Sequence, residues 1–126
     1  MSILRIESTQ RTPEVIFDFA NNVFHLRGES YPEDVKEFYG QPIGRLEGHL
    51  EGLTNAEIRF TFEFVYFNSS TAKILMNLFD MLEETAARGN TVLVVWAYEK
   101  DDDNMEELGE EFGEELSRAT FSMLAV

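Results

Sequence analysis

The sequence predicts an α/β fold in which helices cover mainly one face of a mixed β-sheet, in the order βββ-α-β-α-β-α-β. Three observations carry this prediction. Short alternating apolar runs come first, two of them joined by the turn-forming Ala20-Asn21-Asn22. Two longer runs rich in aromatic and β-branched residues come next, Glu57–Phe67 and Thr91–Tyr98. Around them lie three stretches with apolar residues at helical spacing.

Residues 3–6 (Ile-Leu-Arg-Ile) read as a short strand. Val15–Phe19 and Val23–Arg27 form a β-hairpin, because Asn tolerates the positive φ that a tight turn needs. A helix is expected from about Tyr31 to Leu50, with Ser30 and Glu33 at capping-box spacing. Val35, Tyr39, Ile43, Leu46 and Leu50 are its apolar stripe, and Pro42 is expected to kink it. In Glu57–Phe67, Ile58, Phe60, Phe62, Phe64 and Tyr66 face one way, against Arg59, Thr61 and Glu63. Val65 and Phe67 add apolar residues to the other side, which predicts a central strand covered on both faces at its C-terminal end.

The strand stops at Asn68-Ser69-Ser70-Thr71, and a second helix runs from there to about Arg88, ended by Gly89. Its core face is Ala72, Leu75, Phe79, Leu82 and Ala86. Thr91–Tyr98 is a buried strand and Glu99–Asp103 an acidic loop. Met105, Leu108, Phe112 and Leu116 define a third, amphipathic helix, and Phe121–Val126 a closing strand. Nothing divides the chain, so residues 1–126 read as one domain.

Composition narrows the function. No run approaches the ~20 apolar residues of a membrane span, and Met1–Gln10 lacks the basic and apolar regions of a secretion signal. A cytoplasmic protein is expected. The absence of cysteine excludes disulfides, Cys-based zinc sites and a thiol nucleophile. A net charge of −14 opposes nucleic-acid binding and anionic membranes. It attracts basic protein partners, and it also serves simple solubility. Ten acids fall between Glu99 and Glu115 against one Lys. They lack the EF-hand spacing and its Gly, and read as a solvated loop leading into a helix. His25 and His49 have no ligand spacing. No Ser-His-Asp, paired-acid, metal-ligand or phosphate-loop pattern appears, so neither an enzyme nor a cofactor site is expected; a small enzyme of unknown chemistry is the least favoured alternative.

Asn68, Ser69, Ser70 and Thr71 interrupt two strongly apolar elements. One reading is an N-cap cluster, since each short polar side chain can accept from the free N–H groups of the first helical turn. The other uses the same physics. A helix N-terminus presents unpaired donors and positive partial charge, which favour a phosphate on a hydroxyl placed there. Lys73, one turn beyond Ser69, is either placed to pair with it or simply solvated. Ile74 and Met81 lie well around the helix from its core face. They are either the edge of a broad buried face or an apolar strip for docking a partner beside the switch. Gly40, Gly44, Gly48 and Gly52 recur every four residues, which permits close helix approach in a dimer or simply weakens the first helix.

The run Tyr66-Phe67-Asn68-Ser69-Ser70-Thr71-Ala72-Lys73 resembles the YFNTSSxK segment of SiaC-type regulatory phosphoproteins, relatives in fold of STAS-domain anti-sigma antagonists. Thr12–Val15, Gly28–Asp34 and Trp96–Met105 agree with it, so the resemblance spans essentially the whole chain. It implies a STAS-like fold and a non-enzymatic, partner-switching role in biofilm regulation. In that family a Ser/Thr protein kinase phosphorylates the hydroxyl residue after the Asn, and a PP2C-type phosphatase removes the phosphate. The unphosphorylated form binds and activates a diguanylate cyclase, raising cyclic-di-GMP. By position the phosphoacceptor is Ser69, where the family commonly has Thr, with Ser70 the runner-up. An anti-sigma antagonist with the same switch is the alternative. A monomer or weak dimer is expected.

Overall fold

The computed structural model describes residues 3–126. Its elements are β1 (Ile3–Ile6), β2 (Glu14–Asp18), β3 (Val23–Ser30), α1 (Val35–Glu51), β4 (Glu57–Phe67), α2 (Ser69–Ala87), β5 (Thr91–Tyr98), α3 (Asp103–Gly113) and β6 (Thr120–Ala125). The predicted order holds throughout. All six strands form one sheet in sequence order, antiparallel from β1 to β3 and parallel from β3 to β6. Each parallel step crosses over through one helix. Crossovers of one hand between successive neighbours place α1, α2 and α3 on the same face.

That face holds the core. In register across the sheet lie Phe17, Phe24, Phe60 and Val94, and beside them Leu26, Phe62 and Trp96. Phe60 and Phe62 stack with ring centroids 4.4 Å apart, and Phe62 reaches Phe79 of α2 at 4.9 Å. Tyr39, Leu46 and Leu50 of α1, and Leu75, Leu78 and Leu82 of α2, close the layer. The opposite face carries Arg5, Ile16, His25 and Thr61 in register, and among the described residues no helix packs over it.

Three expectations are corrected. First, α1 begins at Val35, where Asp34 is the cap and accepts from the Glu37 N–H at 3.0 Å. Ser30 is instead the buried last residue of β3. Pro32 disfavours helical angles at Tyr31, whose N–H donates to the Arg11 carbonyl at 2.7 Å, so no Ser30–Glu33 capping box forms. From Val35 the helix runs through the buried Pro42 as one element.

Second, Tyr66 does not share the face of Phe64. The β3–β4 register shifts after Gly28, pairing Gly28 with Phe64 but Glu29 with Tyr66. Val65 is the extra residue of a β-bulge, which reverses the facing of Tyr66 and Phe67. Phe67 therefore turns into the core against Trp96 and Phe112, at 6.2 and 6.1 Å. Third, the C-terminal end of β4 is not covered on both faces, since Val65 is 51% and Tyr66 50% exposed.

Turn chemistry behaves as read from the sequence. Asn22 adopts φ 56° in the hairpin and Gly89 φ 99° beyond α2. Gly40, Gly44 and Gly48 are exposed and face open space, while Gly52 caps α1. Among the described residues no helix is long and apolar enough to cross a membrane.

Candidate functional site

The junction between β4 and α2 assigns different tasks to its four polar residues. Asn68 is the N-cap: its side chain accepts from the Thr71 N–H at 3.0 Å. Its own N–H donates to the Ser30 carbonyl at 3.1 Å, and its carbonyl accepts from Ala72 at 2.9 Å. Thr71 is fully buried. Its hydroxyl donates to the Ser30 carbonyl at 3.1 Å and lies 2.8 Å from the Ser30 hydroxyl, which in turn lies 2.6 Å from the Tyr39 hydroxyl. Ser69 and Ser70 are exposed. The capping reading thus holds for Asn68 and the buried-strut role falls to Thr71, leaving two open hydroxyls at the first helical positions.

Ser30, Tyr39 and Thr71 make a hydroxyl cluster that ties the end of β3, the middle of α1 and the start of α2 together. Burial pushes the Tyr39 phenol up to about 12, against the opposing effect of its bonds to Ser30 and Thr71. Sequence reading missed this cluster, having placed Ser30 as a helix cap and Tyr39 in an apolar stripe. The signal was the tyrosine itself, since a buried Tyr hydroxyl needs a partner.

The electrostatics at Ser69 are set by what is missing nearby. The first turn of α2 holds no acidic residue, whereas α1 has Glu37 there and α3 has Asp103 and Glu106. Its N–H groups and the positive end of its dipole are therefore uncompensated by any carboxylate of its own first turn. Lys73 lies exposed one turn on. On the strand side, the bulge presents Tyr66 outward, its ring edge-on to Tyr31 at 5.8 Å. Ile74 and Met81 are half-buried and pack against the core; on α2 the exposed large apolar residue is Met76, at 56%.

Other acids have local work. Asp102 caps α3 by accepting from Met105 at 2.9 Å, and Glu106 accepts from the Tyr98 hydroxyl at 3.2 Å. Glu83 of α2 gathers the N–H groups of Ser117, Arg118 and Ala119. Partial burial would raise its carboxyl, but these amides and the Ser117 hydroxyl outweigh it and lower it to about 2. His49 meets the Asn22 side chain at 2.6 Å, and His25 sits half-buried on the uncovered sheet face.

Comparison with known proteins agrees with this fold. Residues 6–126 match the model of the SiaC family of regulatory phosphoproteins. An uncharacterized protein of Pseudomonas aeruginosa (strain UCBPP-PA14) is 36% identical over 118 residues, 93% of this chain and 92% of that one. The crystal structure of apo-SiaC from Pseudomonas aeruginosa superposes with a TM-score of 0.88 at 35% identity, covering 99% of this chain and 100% of that one. SiaC in the crystal structure of the diguanylate cyclase SiaD in complex with its activator SiaC, also from Pseudomonas aeruginosa, gives 0.91 at 32% identity, covering 98% and 99%.

Proposed function

This chain belongs to the SiaC family of regulatory phosphoproteins, and from that premise we propose that it is a cytoplasmic, non-enzymatic switch whose unphosphorylated form binds and activates a diguanylate cyclase. Phosphorylation at Ser69 by a Ser/Thr protein kinase turns binding off, and a PP2C-type phosphatase restores it. The observation that carries the site is the exposed Ser69 hydroxyl at the first position of a helix whose first turn has no carboxylate. Ser70, exposed beside it, is the runner-up acceptor. The cyclase complex of the related SiaC supports the partner.

The switch is electrostatic. Phosphorylation adds about −1.5 to −2 charges beside the exposed Tyr66 and Val65. A partner surface shaped around a neutral hydroxyl then meets a hydrated anion that is costly to bury. Each ~1.4 kcal/mol so lost weakens binding tenfold. Ser69→Asp and Ser69→Glu should weaken cyclase binding in calorimetry while Ser69→Ala keeps it. Equal binding by all three overturns the assignment, as does protein from its native cells that never carries phosphate within residues 68–71. Ile74 and Met81 extend the docking surface in this reading. Glu at either should weaken binding without unfolding the domain, and a collapse in melting temperature assigns them to the core alone.

A further inference from the structure

We propose that the groove between α2 and α3 is a second docking site, shaped for a basic amphipathic helix of a protein partner. The groove, of about 410 Å³, is lined by Met76 of α2 and by Glu111, Phe112, Glu114 and Glu115 at the end of α3. Its floor is apolar and firm. Phe112 stacks on the buried Trp96 at 5.4 Å and tilts against Phe79 at 5.2 Å, so its ring is held from behind. Met76, 56% exposed, forms the adaptable side: an unbranched thioether moulds to an incoming apolar group.

The rim fixes the occupant by charge. Among the described residues no salt bridge engages Glu111, Glu114 or Glu115. These carboxylates crowd the C-terminal end of α3, whose last turn contains no basic residue. That end already carries negative partial charge, so acids there repel the dipole and cations are favoured. A lysine or arginine from outside relieves both conflicts at once. Phosphate backbones and anionic lipid are repelled by the same field. An apolar floor with an acidic rim matches a helix that presents an apolar anchor flanked by Lys or Arg.

This inference stands apart from the Ser69 reading. Met76 is seven residues beyond Ser69, about 10 Å along the helix axis, and binding here needs no modification.

A fluorescein-labelled 18-residue Leu/Lys peptide, with Leu at i, i+3, i+4 and i+7, is the probe, followed by anisotropy and by amide chemical shifts of the full chain. Saturable 1:1 binding is expected, with shift changes centred on residues 76 and 111–115. Met76→Gln, which leaves the net charge unchanged, should raise the Kd at least fivefold. The triple variant Glu111→Gln, Glu114→Gln, Glu115→Gln should raise it at least tenfold. An equally charged control, Glu47→Gln, Glu51→Gln, Glu57→Gln, should change it less than twofold. No binding, equal loss in both triple variants, indifference to Met76→Gln, or shifts centred elsewhere each overturns the proposal. All seven positions are exposed, and circular dichroism verifies that each variant folds.

Discussion

Replacing Ser30 by Ala should destabilise the protein more than removing either hydroxyl it touches, because only that change leaves a buried hydroxyl orphaned of any close partner. Ser30 and Thr71 are fully buried and Tyr39 is 1% exposed. In Ser30→Ala, Thr71 keeps the Ser30 carbonyl as acceptor, but the Tyr39 hydroxyl loses its close partner at 2.6 Å and retains only its weaker interaction with Thr71. A lost net hydrogen bond of about 1 kcal/mol plus a poorly satisfied buried hydroxyl of about 1–3 kcal/mol gives a cost of about 2–4 kcal/mol. In Thr71→Val the Ser30 hydroxyl keeps Tyr39, and the Ser30 carbonyl keeps the Asn68 N–H. In Tyr39→Phe the Ser30 hydroxyl keeps Thr71. Neither leaves an orphan, so each should cost about 1–2 kcal/mol. Guanidinium unfolding followed by Trp96, the sole tryptophan, measures all three. The double variant Ser30→Ala, Tyr39→Phe removes the orphan and should regain about 1 kcal/mol over Ser30→Ala. If Ser30→Ala is no worse than Tyr39→Phe, or the double variant is worse than both, the orphan reasoning fails.

Gly109→Ala should destabilise by about 1–3 kcal/mol despite better helix propensity, because the new Cβ would clash with Cδ1 and Nε1 of the Trp96 ring. Gly44→Ala, facing open space on α1, should instead stabilise by about 0.5–1 kcal/mol; equal effects in melting curves would contradict the packing. Glu83→Gln should lower the melting temperature at pH 7 and flatten the acid limb. The Glu83 carboxyl is held at about 2 when folded, against 4.5 as its ordinary value. Its stabilisation is therefore present above about pH 4.5 and lost as pH falls towards 2. An unchanged acid limb in the variant would remove Glu83 from that role. Tyr39→Phe should likewise flatten the alkaline limb. With the folded phenol raised to about 12 from 10, wild-type stability falls as pH rises from about 10 to 12.

Much of this fold is legible in the sequence because its elements announce themselves locally. Strict alternation in residues 57–64, β-branched residues in Thr91–Tyr98 and Gly89 behind α2 each act over a few residues, and chain order then fixes the neighbours. Errors arose where a residue's partner is far along the chain. Ser30 and Glu33 satisfy a capping rule of spacing, yet Ser30 bonds Thr71, 41 residues away. The bulge at Val65 cannot be read from β4 alone, since it is a mismatch with Gly28 and Glu29 on another strand. Its one local trace was the break in alternation at Val65-Tyr66-Phe67, which two-sided burial explains equally well. The candidate site was legible as a segment, from four short polar residues between two apolar elements. How those four divide into a cap, a buried strut and two open hydroxyls depended on Ser30 and Tyr39.

That division bears on how a charge at Ser69 acts. Asn68 caps α2 and Thr71 anchors it, and among the described residues the Ser69 hydroxyl makes no hydrogen bond, so Ser69→Ala should shift stability by less than about 0.5 kcal/mol. Ser69→Asp places an anion at the positive end of a helix whose first turn has none. It should therefore stabilise the domain by about 0.3–1 kcal/mol, raising the melting temperature by about 1–4 °C. The same substitution two residues on, Thr71→Asp, buries a charge among Ser30 and Tyr39 and should unfold the domain at ordinary temperature. A phosphate at Ser69 then leaves α2 in place and changes only the face offered to a partner. Calorimetric melting of Ser69→Asp separates this from a switch that works by loosening the helix: a fall of several degrees would mean that the charge acts on the fold, and that the partner senses a disordered α2 instead of a charged one.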